Sequence, residues 1–510
     1  MHHEGLGSWL IKRREKSASK IAIIDGDRHV TYAEFADTAD KVAAMLADRG
    51  IRKGDAVAFM GENSPEFLAM LFGTVSIGAV FVPVNTRLAT PEVSHVLGDS
   101  GSRLLIHDPE LAERALPGAQ AAGIATGDVI PTGPGPSDSP GLDAFLARHY
   151  PPALPTPMSL DDPAAIIYTS GTTGRAKGAV LTHANLTWVA INTIIDYDLV
   201  SSDVALMISP LFHVASLGMG ALPVILKGGT LVLERGFEAG RALAQIEKHR
   251  VTMLSGVPTT YQLMAEHPNW DSTDISSLSK LTCGGAPAPM KIIEAYEKRG
   301  LSFSQGYGMT ETSPGATALS PEWARSKQGS VGFSHFFTTV RVVGEHGEIL
   351  PPWEVGEIHI YGPNVFAGYL NMPDATADAF AHDGWFRTGD LGYMDDDGCL
   401  YIAGRAKDMI ISGAENIYPA EVESVLMGHP GVTGVAVVGV PDEKWGEVPV
   451  AVLTLAPGAY ADLDSVRGFL DGKLARYKLP KQVVVVDELP RTASGKVRKT
   501  EVQEMLAQRD

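Results

Sequence analysis

Apolar positions along the first hundred residues switch between a helical and a strand period. Thr31-Tyr-Ala-Glu34 reads as a capping box, with Phe35, Ala39, Val42 and Leu46 on one helical face behind it and Gly50 at the end. Val57–Met60 follows as a short apolar strand. Phe67–Val84 is an apolar run approaching the length of a membrane span, roughly 20 residues. Gly73, Gly78 and Pro83 punctuate it, so a core helix, a glycine turn and a strand over Ala79–Val84 are expected, with a span as the weaker alternative. This alternation continues to about residue 108 and predicts an α/β sheet.

Residues 117–160, rich in Pro, Gly, Ala and Ser, read as a surface excursion. Ala164–Ile167 then reads as a buried strand. Strand, helix and strand follow at Gly229–Leu233, Ala239–His249 and Val251–Ser255. From about Ser330 the texture changes to short alternating strands (Val340–Val343, Glu357–Tyr361, Leu400–Ile402) between Gly, Pro and Asp turns. Asp395–Gly398 is expected to be a solvated turn and not a metal site. A second, small α+β domain is expected from about Gly404. In it, Pro419 opens a helix to about Met427, Val432–Val440 and Val448–Leu455 are strands, Leu463, Val466, Leu470 and Leu474 share a helical face, and Val483–Val486 is a last strand.

Composition narrows the function classes. A chain of 510 residues is too long for one ordinary core, and 45% apolar with 20% charged residues is usual for a globular protein. A net charge of −18 argues against nucleic acid as a partner. The two cysteines, Cys283 and Cys399, make no disulfide framework and suggest a reduced, cytoplasmic protein. The start, MHHEGLGSW, has no signal-peptide pattern.

Several stretches could carry chemistry. Tyr168–Gly178, YTSGTTGRAKG, combines hydroxyls, glycines and a lysine. Glycines let backbone N–H groups approach phosphates, hydroxyls donate hydrogen bonds, and lysine adds a point charge. It is not a Walker A loop, because no Gly-Lys pair is followed by Ser or Thr. Cys283-Gly-Gly-Ala-Pro287 allows close backbone approach to a flat ligand. Gln305-Gly-Tyr-Gly-Met-Thr-Glu311 places a hydroxyl beside a carboxylate, a pairing suited to phosphate and Mg²⁺. Asp390 ends Trp385-Phe-Arg-Thr-Gly-Asp390 with a carboxylate suited to ribose hydroxyls, and Pro490–Lys496 presents a lysine on a loop. Each stretch taken singly also reads as an ordinary surface turn.

Together, YTSGTTGRAKG, GGAP, QGYGMTE, the TGD ending at Asp390, GRAKDMIISGAENIYPAEVE (404–423) and PRTASGK resemble, in order and spacing, the adenylate-forming superfamily. That superfamily includes acyl-CoA synthetases, peptide-synthetase adenylation domains and beetle luciferase. The resemblance covers roughly residues 8 to 503. It implies an α/β fold with a large N-terminal domain of mixed sheets and helices (1–403) and a small mobile C-terminal α+β domain (404–510), hinged near Lys407.

By the same resemblance, Thr169, Ser170, Gly171, Thr172, Thr173, Gly174 and Lys177 would form the phosphate loop. Gly284, Gly285, Ala286, Pro287, Gly306, Tyr307, Gly308 and Met309 would hold adenine and the acyl-adenylate. Thr310 would meet phosphate, Glu311 Mg²⁺, and Asp390 with Arg405 the ribose. Lys496 would be the catalytic lysine of the first half-reaction, with Thr310 and Glu311 beside it. Gly413, Ala414 and Glu415 would line the coenzyme A tunnel. His213, Tyr261, Gly284, Gly308 and the segment from Thr312 to Ala316 would wall the acyl pocket. His213 stands where amino-acid-activating relatives place an aspartate, which disfavours amino acids. No carrier-protein domain follows residue 510, which counts against a peptide-synthetase module. Two departures are visible: Ala176 where the superfamily commonly has Pro, and Ala414 where it commonly has Gly.

The implied activity is ATP- and Mg²⁺-dependent ligation of a carboxylic acid to CoA through an acyl-adenylate. GLGSW, PLFHVASLGMGALP, CGGAPAP and QGYGMTETSPGA most resemble bacterial feruloyl-CoA synthetases, and medium- and long-chain fatty acyl-CoA synthetases nearly as well. The acid is expected to be a hydroxycinnamate such as ferulate, with a fatty acid as the alternative. A luciferase-like oxidoreductase and a non-catalytic adenylate binder are remoter alternatives; intact Lys177, Glu311 and Lys496 argue against the binder. A homodimer is left open.

Overall fold

The computed structural model of the protein describes residues 5–134, 140–153, 156–169, 175–285, 289–412, 415–442, 444–491 and 497–508. Its strands form sheets of thirteen, seven and five strands. The seven-stranded sheet is parallel through Val80–Pro83, Ala56–Met60, Ser102–His107 and Val129–Pro131. It turns antiparallel at the edge formed by Pro163–Thr169, Lys177–Thr182 and Gly368–Tyr369. In the thirteen-stranded sheet Met253–Gly256, Lys280–Cys283 and Phe303–Tyr307 run parallel. Phe386–Met394 and Leu400–Arg405 belong to its antiparallel part.

Local chemistry accounts for the early elements. Thr31 caps Tyr32–Asp48 as expected, its side chain accepting from Glu34 N–H while Glu34 reaches back to Thr31 N–H. The membrane-like run is a buried helix, Pro65–Ser76, capped by Ser64, then a turn at Gly78 and the strand Val80–Pro83. Among the described residues no helix is long and apolar enough to cross a membrane.

Two expectations need correction. The stretch 117–160 is not wholly a surface excursion, because Val129–Pro131 is an edge strand with Ile130 buried opposite Ile106. Leu142–Leu146 is also a helix, with Leu142 in the core. The period of so short a strand is not visible, and its register comes from the neighbouring strand. The Asp395–Gly398 turn is not solvated throughout. Asp395 is 3% exposed. It pairs with Lys327 at 2.7 Å and accepts from the N–H groups of Asp397 and Cys399.

The chain leaves the thirteen-stranded sheet at Arg405 and enters the five-stranded sheet at Ile410, across a 3₁₀ turn at Ala406–Asp408. The small sheet joins Ile410–Ser412, Glu415–Ile417, Val432–Asp442, Gly446–Leu455 and Gln482–Val485. Its two faces carry separate apolar clusters, one under Pro419–Leu426 and Leu463–Leu470, the other under Lys499–Ala507.

Candidate active site

The strand Phe303–Tyr307 ends in a tight turn that presents Glu311. Gly308 is required there, since a Cβ on it would lie 1.3 Å from the carbonyl oxygen of Pro314. Thr310–Thr312 is a 3₁₀ turn, closed by Met309 N–H donating to Thr312 Oγ1 at 3.0 Å. Thr312 is therefore fully buried and committed to the turn, which removes it from the acyl-pocket wall expected of it. Glu311 projects beside Tyr369, whose hydroxyl donates to Oε1 at 2.7 Å. Burial and the Glu311 charge push the Tyr369 phenol above its usual range, so it stays a donor.

Tyr369 lies opposite Ala179 in the edge pairing with Lys177–Thr182. This brings Lys177 Nζ over its ring, 5.2 Å from the centroid. Lys177 faces Thr169 across the hairpin that carries the phosphate-loop candidates. The hairpin's feet are tied to the helix Thr90–Asp99: Tyr168 donates to Asp99 Oδ2 at 2.7 Å, and His95 Nε2 lies 2.9 Å from the Ala176 carbonyl oxygen. Ser170, Gly171, Thr172, Thr173 and Gly174 lie outside the described residues.

A second polar group gathers at Asp390. Register places it opposite Arg405, with Nε 3.0 Å from Oδ1, and Tyr307 donates to Oδ2 at 2.6 Å. The carboxylate is buried, and its oxygens keep further lone pairs for hydroxyl donors. Burial, then the Asp390 charge, raises the Tyr307 phenol well above its usual range. Gly284 and Gly285 follow Lys280–Cys283, next to the strand bearing Gly306. Ala286 and Pro287 lie outside the described residues.

The acyl-side candidates are partly assembled. His213 begins a turn that runs into a π-helix, Ala215–Ala221. π-Helices are rare and concentrate at functional sites. Gly218 of this helix packs on the Ser313–Pro314 turn: a Cβ there would meet Ser313 O at 2.4 Å. Burial, aided by the Arg87 charge, pushes the His213 imidazole down to about 4, and its Nε2 is buried with no hydrogen-bond partner among the described residues. At neutral pH this is an uncharged ring. Tyr261 is a correction. It is fully buried between Tyr296 and Phe303, and its hydroxyl is spent on the Leu254 and Thr282 carbonyls, so among the described residues it serves the core and presents no surface to a pocket.

The remaining candidates lie in the C-terminal part. Lys407 is exposed on the 3₁₀ turn between the sheets, and Glu415 is exposed on a strand of the small sheet. Gly413, Ala414 and Lys496 lie outside the described residues.

Two contributors were not anticipated. Tyr369 sits in a two-residue strand that shows no period, and the π-helix does not follow the 3.6-residue helical pattern. Their nearest sequence signals are the aromatic after Gly368 and the small-residue run ASLGMGA.

The donor set fits Mg²⁺ arriving with a nucleotide. Among the described residues no cluster of three or more His, Cys, Asp or Glu could hold a metal alone. Glu311 supplies one carboxylate with Oε1 fixed. Mg²⁺ commonly takes one or two carboxylates with the remainder from phosphates and water.

The fold and these groups belong to an adenylate-forming enzyme. The family described as AMP-binding enzyme matches residues 11–370, and the AMP-binding enzyme C-terminal domain matches residues 421–496. The chain belongs to this family, within the class of AMP-forming acid–thiol ligases. It is similar to a feruloyl-CoA synthase of Amycolatopsis sp, 48% identical over 503 residues covering 99% of both chains. It is also similar to a long-chain-fatty-acid–CoA ligase of Mycobacterium tuberculosis, 39% identical over 97% of both. The crystal structure of ATP-bound MatB from Rhodopseudomonas palustris superposes with a TM-score of 0.91, at 33% identity and 99% coverage of both chains.

Proposed function

We propose that this ATP-dependent acid–CoA ligase activates a hydroxycinnamate such as ferulate. The observation that carries the proposal is the 48% identity to a feruloyl-CoA synthase along essentially the whole chain. The uncharged, half-buried His213 supports it, because that ring offers no counter-charge to an ammonium group and suits an uncharged acyl tail.

In the first half-reaction the carboxylate of the acid attacks the α-phosphate of ATP, and pyrophosphate leaves. Two anions must meet, so cationic groups at the phosphates dominate the barrier. Thr169 to Lys177 would hold the outgoing phosphates, with Thr310 beside them and Lys496 at the α-phosphate. Asp390 and Arg405 would take the ribose, and Gly284 to Pro287 with Gly306 to Met309 the adenine and the acyl-adenylate. Mg²⁺ on Glu311 supplies positive charge against the phosphate oxygens when bound. In the second half-reaction the CoA thiol attacks the acyl carbonyl and AMP leaves. Rotation about Lys407 would withdraw Lys496 and bring Gly413, Ala414 and Glu415 to the thiol's path. The proposal includes a cytoplasmic location, which the buried free thiols Cys283 and Cys399 suit, and a homodimer that sedimentation would test.

The test is CoA-thioester formation from ferulate, 4-coumarate, benzoate, octanoate and palmitate, with AMP release measured beside each. Ferulate or 4-coumarate is expected to give the highest kcat/KM. A preference for octanoate or palmitate would replace the hydroxycinnamate reading with the fatty-acid one, which similarity to the long-chain ligase supports.

A further inference from the structure

Glu311 and Lys177 carry opposite charges, and no ion pair joins them among the described residues. Tyr369 stands with each of them. Its hydroxyl donates to Glu311 Oε1 at 2.7 Å, and its ring face lies under Lys177 Nζ at 5.2 Å. The residue is itself fixed. Its backbone pairs with Ala179, and its N–H donates to Thr376 Oγ1 at 2.9 Å. Its ring packs edge-on against Phe366, whose own N–H donates to the Glu311 carbonyl at 2.8 Å.

We propose that Tyr369 is a positioning residue that holds one oxygen of Glu311 so that the other is presented to the metal–nucleotide. A glutamate on a short turn otherwise samples several rotamers, and the charge-assisted bond from Tyr369 removes that freedom before the ligand arrives. By satisfying Glu311 with a neutral donor and Lys177 with a ring face, Tyr369 serves both groups without neutralising either. Both charges then remain for the ligand. The inference rests on the reading of Glu311 as the metal carboxylate.

The test uses the full chain, ATP and Mn²⁺, with free Mn²⁺ followed by its EPR signal and ATP binding measured separately in EDTA. Tyr369→Phe keeps the ring beneath Lys177 and removes only the hydroxyl. It is expected to weaken Mn²⁺ binding in the ATP complex about tenfold, the scale of one hydrogen bond to a charged group, with metal-free ATP binding unchanged. Glu311→Gln should weaken Mn²⁺ binding more, and Tyr369→Phe added to Glu311→Gln should cost nothing further. If Glu311→Gln leaves Mn²⁺ binding unchanged, the metal reading of Glu311 falls and the inference with it. If Glu311→Gln weakens it while Tyr369→Phe does not, that reading stands and the positioning role is overturned. Equal loss of ATP binding with and without metal, or additive losses in the double variant, would also overturn it by showing a purely structural role.

Discussion

Two regions meet at the turn bearing Glu311, and they are built on opposite principles. On the nucleotide side, polar groups are held by polar groups from distant stretches: Glu311 by Tyr369, and Asp390 by both Tyr307 and Arg405. On the acyl side, His213 is half-buried, with its Nε2 buried and without a hydrogen-bond partner among the described residues, beside a π-helix that packs on Ser313 and Pro314. On the proposed reading the first arrangement fixes charge and is indifferent to the acid, and the second reads shape and neutrality and is indifferent to ATP. Substitutions on the nucleotide side should therefore slow every acid by one factor, and substitutions on the acyl side should reorder the acids.

The largest expected effect is on the nucleotide side. Lys496→Ala should lower acid-dependent ATP–pyrophosphate exchange about 100–1,000-fold, equally with ferulate and octanoate, because on the proposed reading it removes one charge-stabilising donor. Thioester formation from presynthesised acyl-adenylate should survive. Equal loss in both half-reactions would remove the domain-alternation reading. Next comes Asp390→Asn, which removes the buried charge facing the half-exposed Arg405. The KM for ATP should rise about tenfold whichever acid is present. A change in the ranking of acids would break the separation between the two regions.

The sequence made these regions legible to different degrees. The Thr31–Glu34 capping box and the apolar run ending at Pro83 are local features, and their chemistry alone predicts helix and strand there. The motif residues Lys177, Glu311, Asp390 and Arg405 were legible because order and spacing survive without coordinates. What holds them was not. Tyr369 is tied to Glu311 across 58 positions of sequence, and its strand is too short to show a period. Asp395 looked solvated because Lys327, its partner, lies 68 positions earlier. Tyr261 was misplaced because an exposed aromatic and a core aromatic look alike in sequence. Its two carbonyl partners belong to the neighbouring strands.

On the acyl side the effects are smaller and selective. Gly218→Ala puts a methyl 2.4 Å from the Ser313 carbonyl oxygen and forces the π-helix away from that turn. The ratio of kcat/KM for ferulate to that for octanoate should change about tenfold, the scale of a one-methylene mismatch in an apolar pocket, while the KM for ATP stays put. An unchanged ratio would show that the π-helix does not shape the acyl site.

The smallest expected effect tests the neutrality of that side. Burial lowers His213 from the usual 6.5 to about 4, so between those values the unfolded chain binds a proton that the folded chain refuses. Stability must therefore fall as pH drops from about 6.5 to about 4, and must be independent of this group above 6.5. His107, also lowered by burial, contributes in the same direction, so the measurement is a difference between proteins. Melting temperatures of the natural chain and of His213→Gln, compared from pH 7 to pH 4.5, should converge as pH falls, because the variant lacks this one penalty. Curves that stay parallel would mean that His213 takes up its proton in the folded chain at the same pH as in the unfolded one. The acyl side would then gain a charge as pH falls below about 6.5, and the contrast between the two regions would no longer rest on a ring kept neutral by burial.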